Sequence, residues 1–172
     1  MSASINHADD YLWDRRWKII NRAQLSTLYH RKRERFFDFW DRFIKGVAII
    51  GGSAAFARLG SPDVTAYAAG LVAVSSTFSL VFGLSERARR HSDLARQFIM
   101  LEADITAKGE REFTEPDINR WDAKVREIEA AEPPAHRALV ITCQNELAIA
   151  HNQGESVHPL GWWQRSLRHF VG

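Results

Sequence analysis

The sequence predicts an all-α protein: a two-helix transmembrane hairpin continuing into a cytoplasmic helical bundle. Three observations predict it. Residues 64–85 form a run of 22 without a charge. Arginine clusters flank the hairpin on both sides. Elsewhere apolar residues recur three and four apart, the spacing of one helix face, and no strand-like alternation of any length is present.

The second span, 64–84, is 21 residues, about 31 Å as a helix at 1.5 Å per residue. That matches a hydrocarbon core of about 30 Å. The first span, 43–59, is shorter, about 26 Å, and is workable when Lys45 extends its ammonium toward the headgroups. Phe36, Phe37, Phe39, Trp40 and Phe43 precede or open it, mixed with Asp38, Asp41 and Arg42. Aromatics among charges suit a membrane interface. Asp38 with Arg42, and Asp41 with Lys45, are spaced to pair on the helix surface. Between the spans, "RLGSPDV" supplies a tight turn: Gly60 as a left-handed helix cap, Ser61 as the next N-cap, Pro62 in its first turn and Asp63 at its positive dipole end.

Charge sets the orientation. Arg31, Lys32, Arg33 and Arg35 precede the first span, and Arg87, Arg89 and Arg90 follow the second, while the turn holds Arg58 against Asp63. The positive-inside rule then predicts a multi-pass membrane protein with both termini cytoplasmic. Phe36, Phe37, Trp40, Arg87, Arg89 and Arg90 are the expected interfacial residues. A soluble bundle with the hairpin buried is the alternative.

Small residues recur four apart: Gly51 and Ala55 in the first span, Ser75, Ser79 and Gly83 in the second, with Ala69, Ala73 and Thr77 beside them. Small residues let helices approach closely in lipid. The stripe either packs the hairpin or lines a water path in a homo-oligomer, since two helices alone cannot enclose one. Hydroxyls need no pore, because they bond back to their own helix's carbonyls. No charge lies at central depth, which disfavours a proton relay.

The flanks divide into an N-terminal cytoplasmic amphipathic helix (1–42), cytoplasmic helices (85–151) and an aromatic, basic tail (152–172). On the first helix Trp13, Trp17, Ile20 and Leu28 give the expected stripe. After the second span the helix is expected to continue, with Leu84, His91, Leu94, Phe98, Leu101 and Ile105 on one face, Ala88 and Ala95 beside them, and Gly109 ending it. Thr114 is a candidate N-cap for a helix carrying Ile118, Trp121, Val125 and Ile128, with Pro116 in its first turn. Pro133 and Pro134 separate it from a last helix, 134–151, with Leu139, Cys143, Leu147 and Ala150 on one face. The tail, "HPLGWWQRSLRHFVG", either lies in the interface or docks on the bundle.

Composition narrows the chemistry. The chain has 172 residues and net charge +2, one domain with or without a small appendage, and near neutrality argues against a specific nucleic-acid partner. A single cysteine excludes an internal disulfide. The polar start, "MSASINHADDYLWDRRWK", is not a secretory signal. No nucleotide-binding, hydrolase or metalloprotease motif is present, so an enzyme is not expected, nor a cofactor or metal. Of seven histidines, His91 reads as a core residue on its stripe. His30, in "YHRKRERFF", reads as part of a solvated basic face able to attract anionic lipid. Glu127, Glu129 and Glu132 read as a solvated helical face, with nothing to pair them as acid and base.

Two segments, "LYHRKRERFF" and "RARRHSDLARQFIMLEADI", resemble the SLATT family of two-transmembrane effector domains associated with bacterial nucleotide-second-messenger and SLOG-sensor systems. Tyr29, His30, Arg33 and Phe36 carry the likeness before the hairpin, and Arg87, Ala88, His91, Leu94, Phe98, Leu101 and Ile105 after it, across about residues 10–151. The resemblance implies membrane helices extended by cytoplasmic ones. It also implies an effector of the bacterial inner membrane that oligomerises and opens or perturbs that membrane in anti-phage, abortive-infection defence. Residues 113–172 leave no room for a fused sensor, so the expected partners are the lipid bilayer, further copies of the chain, and a separate sensor protein or a nucleotide second messenger. A non-conducting membrane anchor or scaffold that recruits a soluble partner is the competing expectation.

Overall fold

The computed structural model describes residues 2–53, 62–110, 112–153, 157, 158 and 161, with the side chains of 2–9, 51, 52, 62–65, 68 and 78–80 outside that description. Regular structure among the described residues is helical: α1 Ser2–Gly52, α2 Pro62–Phe82, α3 Leu84–Ala107, α4 Glu115–Glu129 and α5 Arg137–Ala150. These sort into two compact units. The first comprises Met1–Lys32 and Ser92–Gly172; the second is Arg33–His91.

The first unit buries the stripes expected of α3 and α4. Leu94, Phe98, Leu101 and Ile105 interleave with Ile118, Trp121, Val125 and Ile128, and α1 adds Ile19 and Ala23. On α1 the expected stripe is corrected. Trp13 and Trp17 are 39% and 46% exposed, and the inward positions are Arg16, Ile19 and Ala23. Size explains the choice: Ala23 lets the helix approach its neighbours, where an indole would hold it off. Arg16 is tolerated because its stem is apolar and its guanidinium rests 5.4 Å from both the Trp13 and Phe113 rings, a cation–π arrangement. Ile20 packs at the core's margin, and Leu28 joins a second cluster of Tyr29, Leu139 and Cys143.

Local chemistry sets the ends of these helices. Gly109 takes φ +79°, beyond the end of α3. Thr114 caps α4 reciprocally with Asp117: its hydroxyl donates to Asp117 Oδ2 at 2.8 Å and its N–H to the same oxygen at 3.0 Å. The Asp117 pKa is lowered by the Thr114 hydroxyl first and its N–H next; burial opposes this, and Lys108 assists. His136 stands at the N-cap of α5. Along α5 Leu139 and Cys143 are buried, whereas Leu147 is half-buried and Ala150 exposed, so the expected apolar face fades toward the C-terminal end. Beyond it, the Asn145 amide brackets the His158 backbone, accepting from its N–H at 2.8 Å and donating to its carbonyl at 2.7 Å.

In the second unit Phe37 and Ile44 of α1 pack with Leu84 and Ala88 of α3. The His91 ring stacks on Phe37 with centroids 5.6 Å apart, in keeping with its place on the apolar stripe. The Arg33 guanidinium lies 4.5 Å from the Phe37 centroid. Both expected ion pairs form, Arg42 to Asp38 at 3.4 Å and Lys45 to Asp41 at 2.6 Å. The helix after the second span is not continuous with it: Gly83 takes φ +52°, and the Arg87 N–H donates to the Gly83 carbonyl at 3.0 Å as α3 begins. Gly60 and Ser61 of the expected turn, and residues 54–59 of the first span, lie outside the described residues.

Truncating Trp121, 1% exposed, to alanine is expected to cost about 3–5 kcal/mol, read as a lower chemical-unfolding midpoint. Asp117 contributes stability that is present above the unfolded carboxylate value of about 4 and is lost as pH falls through the lowered folded value. Asp117→Asn is therefore expected to flatten the acid limb of a Tm-against-pH curve; an unchanged limb would contradict the cap.

Candidate functional site

The site begins with what α2 is made of. After Asp63 it has no charged residue, and its bulk is Ala, Val, Ser and Leu. A helix apolar on every side is found in a large core or in lipid. Here none of the described α2 side chains is buried; only Val72 and Ser75 are half-buried. Tyr67 and Val74 are 80% and 68% exposed. A Cβ added at Gly70 would meet nothing within 4 Å. On α1, Phe39, Phe43, Ile49 and Ile50 are likewise exposed.

An aromatic collar marks the start of this surface. Phe36 meets Trp40 at 6.4 Å, Trp40 meets Phe43 edge-on at 5.7 Å, and Phe43 stacks with Phe39 at 6.2 Å. Of the expected interfacial residues, Trp40, Arg87, Arg89 and Arg90 are exposed and Phe36 is half-buried, while Phe37 points into the protein. The 3-4 spacing accounts for Phe37: it follows Arg33 and precedes Asp41 and Ile44 on the buried face of α1.

The expected packing or pore-lining residues divide similarly. Gly51 lies in the last turn of α1 and Gly83 in the break between α2 and α3. Ser75 is half-buried. Ser79 is helical with its side chain outside the description, and Ala55 lies outside the described residues. Among their neighbours, Thr77 donates to the Ala73 carbonyl at 2.9 Å, so this hydroxyl is satisfied within its own helix. Among the described residues no helix is long and apolar enough to cross a membrane.

The first unit holds a polar junction that the sequence reading assigned otherwise. His30 is not on a solvated face: it is 1% exposed, its ring stacked 6.1 Å from Phe98 and edge-on to Tyr29 at 5.3 Å. Its Nε2–H donates to Glu132 Oε1 at 3.0 Å, the carboxylate being the acceptor. The Tyr29 hydroxyl accepts from the His136 N–H at 3.1 Å. Two side chains adjacent on α1 thus hold both ends of the segment joining α4 to α5. Glu129 and Glu132, expected on a solvated face, are half-buried instead, Glu132 meeting His30 and Glu129 meeting Arg22, while Glu127 is exposed as expected. Lys32, also in the basic run, reaches Glu146 at 2.8 Å. A stripe that mixes Arg16, Ile19, Ala23, His30 and Arg33 is invisible to a search for apolar periodicity; its 3-4 spacing was the available signal.

A groove of about 600 Å³ runs between α3 and α4, floored by Leu101 and Trp121 beside Met100. The Trp121 indole N–H donates to Asp104 at 3.0 Å, and Lys124 pairs with Glu127 at 2.8 Å. Its rim charges answer one another. Among the described residues no three His, Cys, Asp or Glu converge as a metal site would require. No protein-family model, curated protein or solved structure matches the chain.

His30→Ala is expected to cost about 2 kcal/mol, and Lys32→Ala less than about 1 kcal/mol as an outlying ion pair. A His30/Glu132 double-mutant cycle measured by thermal unfolding checks this. Additive effects would contradict a direct link.

Proposed function

We propose that this chain is an integral membrane effector, with α2 and the C-terminal part of α1 inserted in the inner membrane and both termini on the cytoplasmic side. The observation that carries the reading is the uncovered apolar surface of the second unit. Among the described residues, ten large apolar side chains between Phe39 and Phe82 are exposed, and covering them is worth on the order of 10 kcal/mol. Lipid supplies that cover without a partner of matching shape. The collar of Phe39, Trp40 and Phe43 beside the Asp38–Arg42 pair supports an interfacial level there.

Copies of the chain associate through the exposed small face of α2, where Ala69, Ala73 and Thr77 recur four apart. Association of such hairpins opens or perturbs the membrane. The resemblance to the SLATT family supports a role for this action in bacterial defence, triggered by a separate sensor protein or a nucleotide second messenger. A non-conducting anchor is the second reading, favoured by the groove between α3 and α4 as a place for a soluble partner.

Alkaline carbonate washing of membranes from expressing cells is expected to leave the chain in the pellet, and its release would contradict insertion. Liposomes reconstituted with the purified chain are expected to leak a trapped dye. Vesicles that stay tight with every candidate partner, around a chain that resists carbonate, would favour the anchor over the pore.

A further inference from the structure

The first unit buries one positive charge that nothing of opposite sign answers. Arg16 is 8% exposed, and among the described residues it meets no carboxylate. Its Nε is sealed from water and has no hydrogen-bond partner. Two turns on, Arg22 on the same helix has Glu129. The acidic residues nearest Arg16 in the chain do not serve it: Asp14 pairs with Lys18 at 2.6 Å. Glu112 and Glu115, close to Phe113 in the chain, are exposed and form no ion pair with it. Taking a charge out of water without a counter-charge is costly, and an apolar side chain at position 16 would fill the same place.

The groups around this charge meet at one point. The guanidinium carbon lies 5.4 Å from the Trp13 ring and 5.4 Å from the Phe113 ring, and the two ring centroids are 5.4 Å apart with their planes at 84°. Phe113 is half-buried and meets Trp121 at 6.4 Å, whereas Trp13 keeps 39% of its surface exposed. The two Nη nitrogens of Arg16 are not sealed as Nε is, and no described residue accepts from them. They reach the surface beside the exposed indole. Two parallel N–H donors match two oxygens of a carboxylate or phosphate, and an indole face stacks on a flat ring.

We propose that Arg16, Trp13 and Phe113 form a binding site for a small anion carried on a flat ring. The Nη nitrogens of Arg16 hold the oxyanion, and Trp13 packs against the ring. A nucleoside phosphate and an aromatic carboxylate share this chemistry. The site lies wholly within the first unit, so it does not depend on whether the second is inserted in lipid.

The test is calorimetric titration of the purified full chain in neutral detergent. The probes are AMP and benzoate, their uncharged counterparts adenosine and benzamide, and their ringless counterparts inorganic phosphate and acetate. At least one ringed anion is expected to bind about tenfold more tightly than its uncharged counterpart and about tenfold more tightly than its ringless one. Binding of AMP alone identifies a nucleotide site, and of benzoate alone a carboxylate site. Arg16→Met, in which methionine takes the place of the apolar stem, is expected to lose the preference for charge. Should that variant lose its helical circular dichroism, Trp13→Ala decides instead, with the preference for the ringed anion over the ringless one expected to vanish. No binding of either ringed anion, equal binding of an uncharged or ringless counterpart, or an undiminished preference in the deciding variant overturns the proposal.

Discussion

Apolar side chains must be taken out of water by something, and α2 is the part of this chain that its own fold does not cover. Comparison with α4 makes the constraint concrete. In α4, Ile118, Trp121, Val125 and Ile128 are all within 1% of full burial, while the intervening positions are mostly charged and mostly exposed. α2 has no such division: its sequence is apolar or small on every side, and among its described side chains none is buried. An amphipathic helix needs one protein neighbour; a helix apolar all round needs a surround. Lipid, further copies of the chain, or both can provide that surround, and every functional statement about the second unit follows from the need for it.

The first unit faces the opposite problem, that of placing polar groups among apolar ones. α1 turns Arg16 and His30 inward at helical spacing, and each finds a specific companion: Arg16 the faces of Trp13 and Phe113, His30 the Glu132 carboxylate and the Phe98 ring. A buried polar group without its partner costs the desolvation it has already undergone. The arrangement therefore specifies which residues of the α4–α5 segment meet α1 more strictly than apolar packing would. Tyr29 adds a second fixed point one residue away, through the His136 N–H.

The all-α class was legible, because two independent signals agreed at α3 and α4. The stripes Leu94–Phe98–Leu101–Ile105 and Ile118–Trp121–Val125–Ile128 are strictly periodic, and Thr114 and Gly109 punctuate them with conventional chemistry. What was not legible was the inward face of α1. Bulk and hydrophobicity favoured Trp13 and Trp17, but close approach favoured Ala23, and the rest of the stripe is polar. His30 was misassigned for the same reason: neighbours in sequence, Arg31 and Lys32, suggested a solvated run, whereas the relevant neighbours, Phe98 and Glu132, are distant in the chain. At the candidate site, the aromatic collar and the Asp38–Arg42 and Asp41–Lys45 pairs were readable from spacing alone. The inward turn of Phe37 follows a 3-4 stripe that mixes Arg33 and Asp41 with Ile44, which apolar periodicity does not reveal.

Whether lipid surrounds α2 is tested most directly by the reactivity of a single cysteine placed on it. In a Cys143→Ser background, Val74→Cys and Arg126→Cys are made separately, and intact, inside-out membrane vesicles are treated with a membrane-impermeant maleimide. The account predicts that the cysteine at 126 is modified at once, while the one at 74 is protected until detergent is added. Equal and immediate modification at both positions would contradict it.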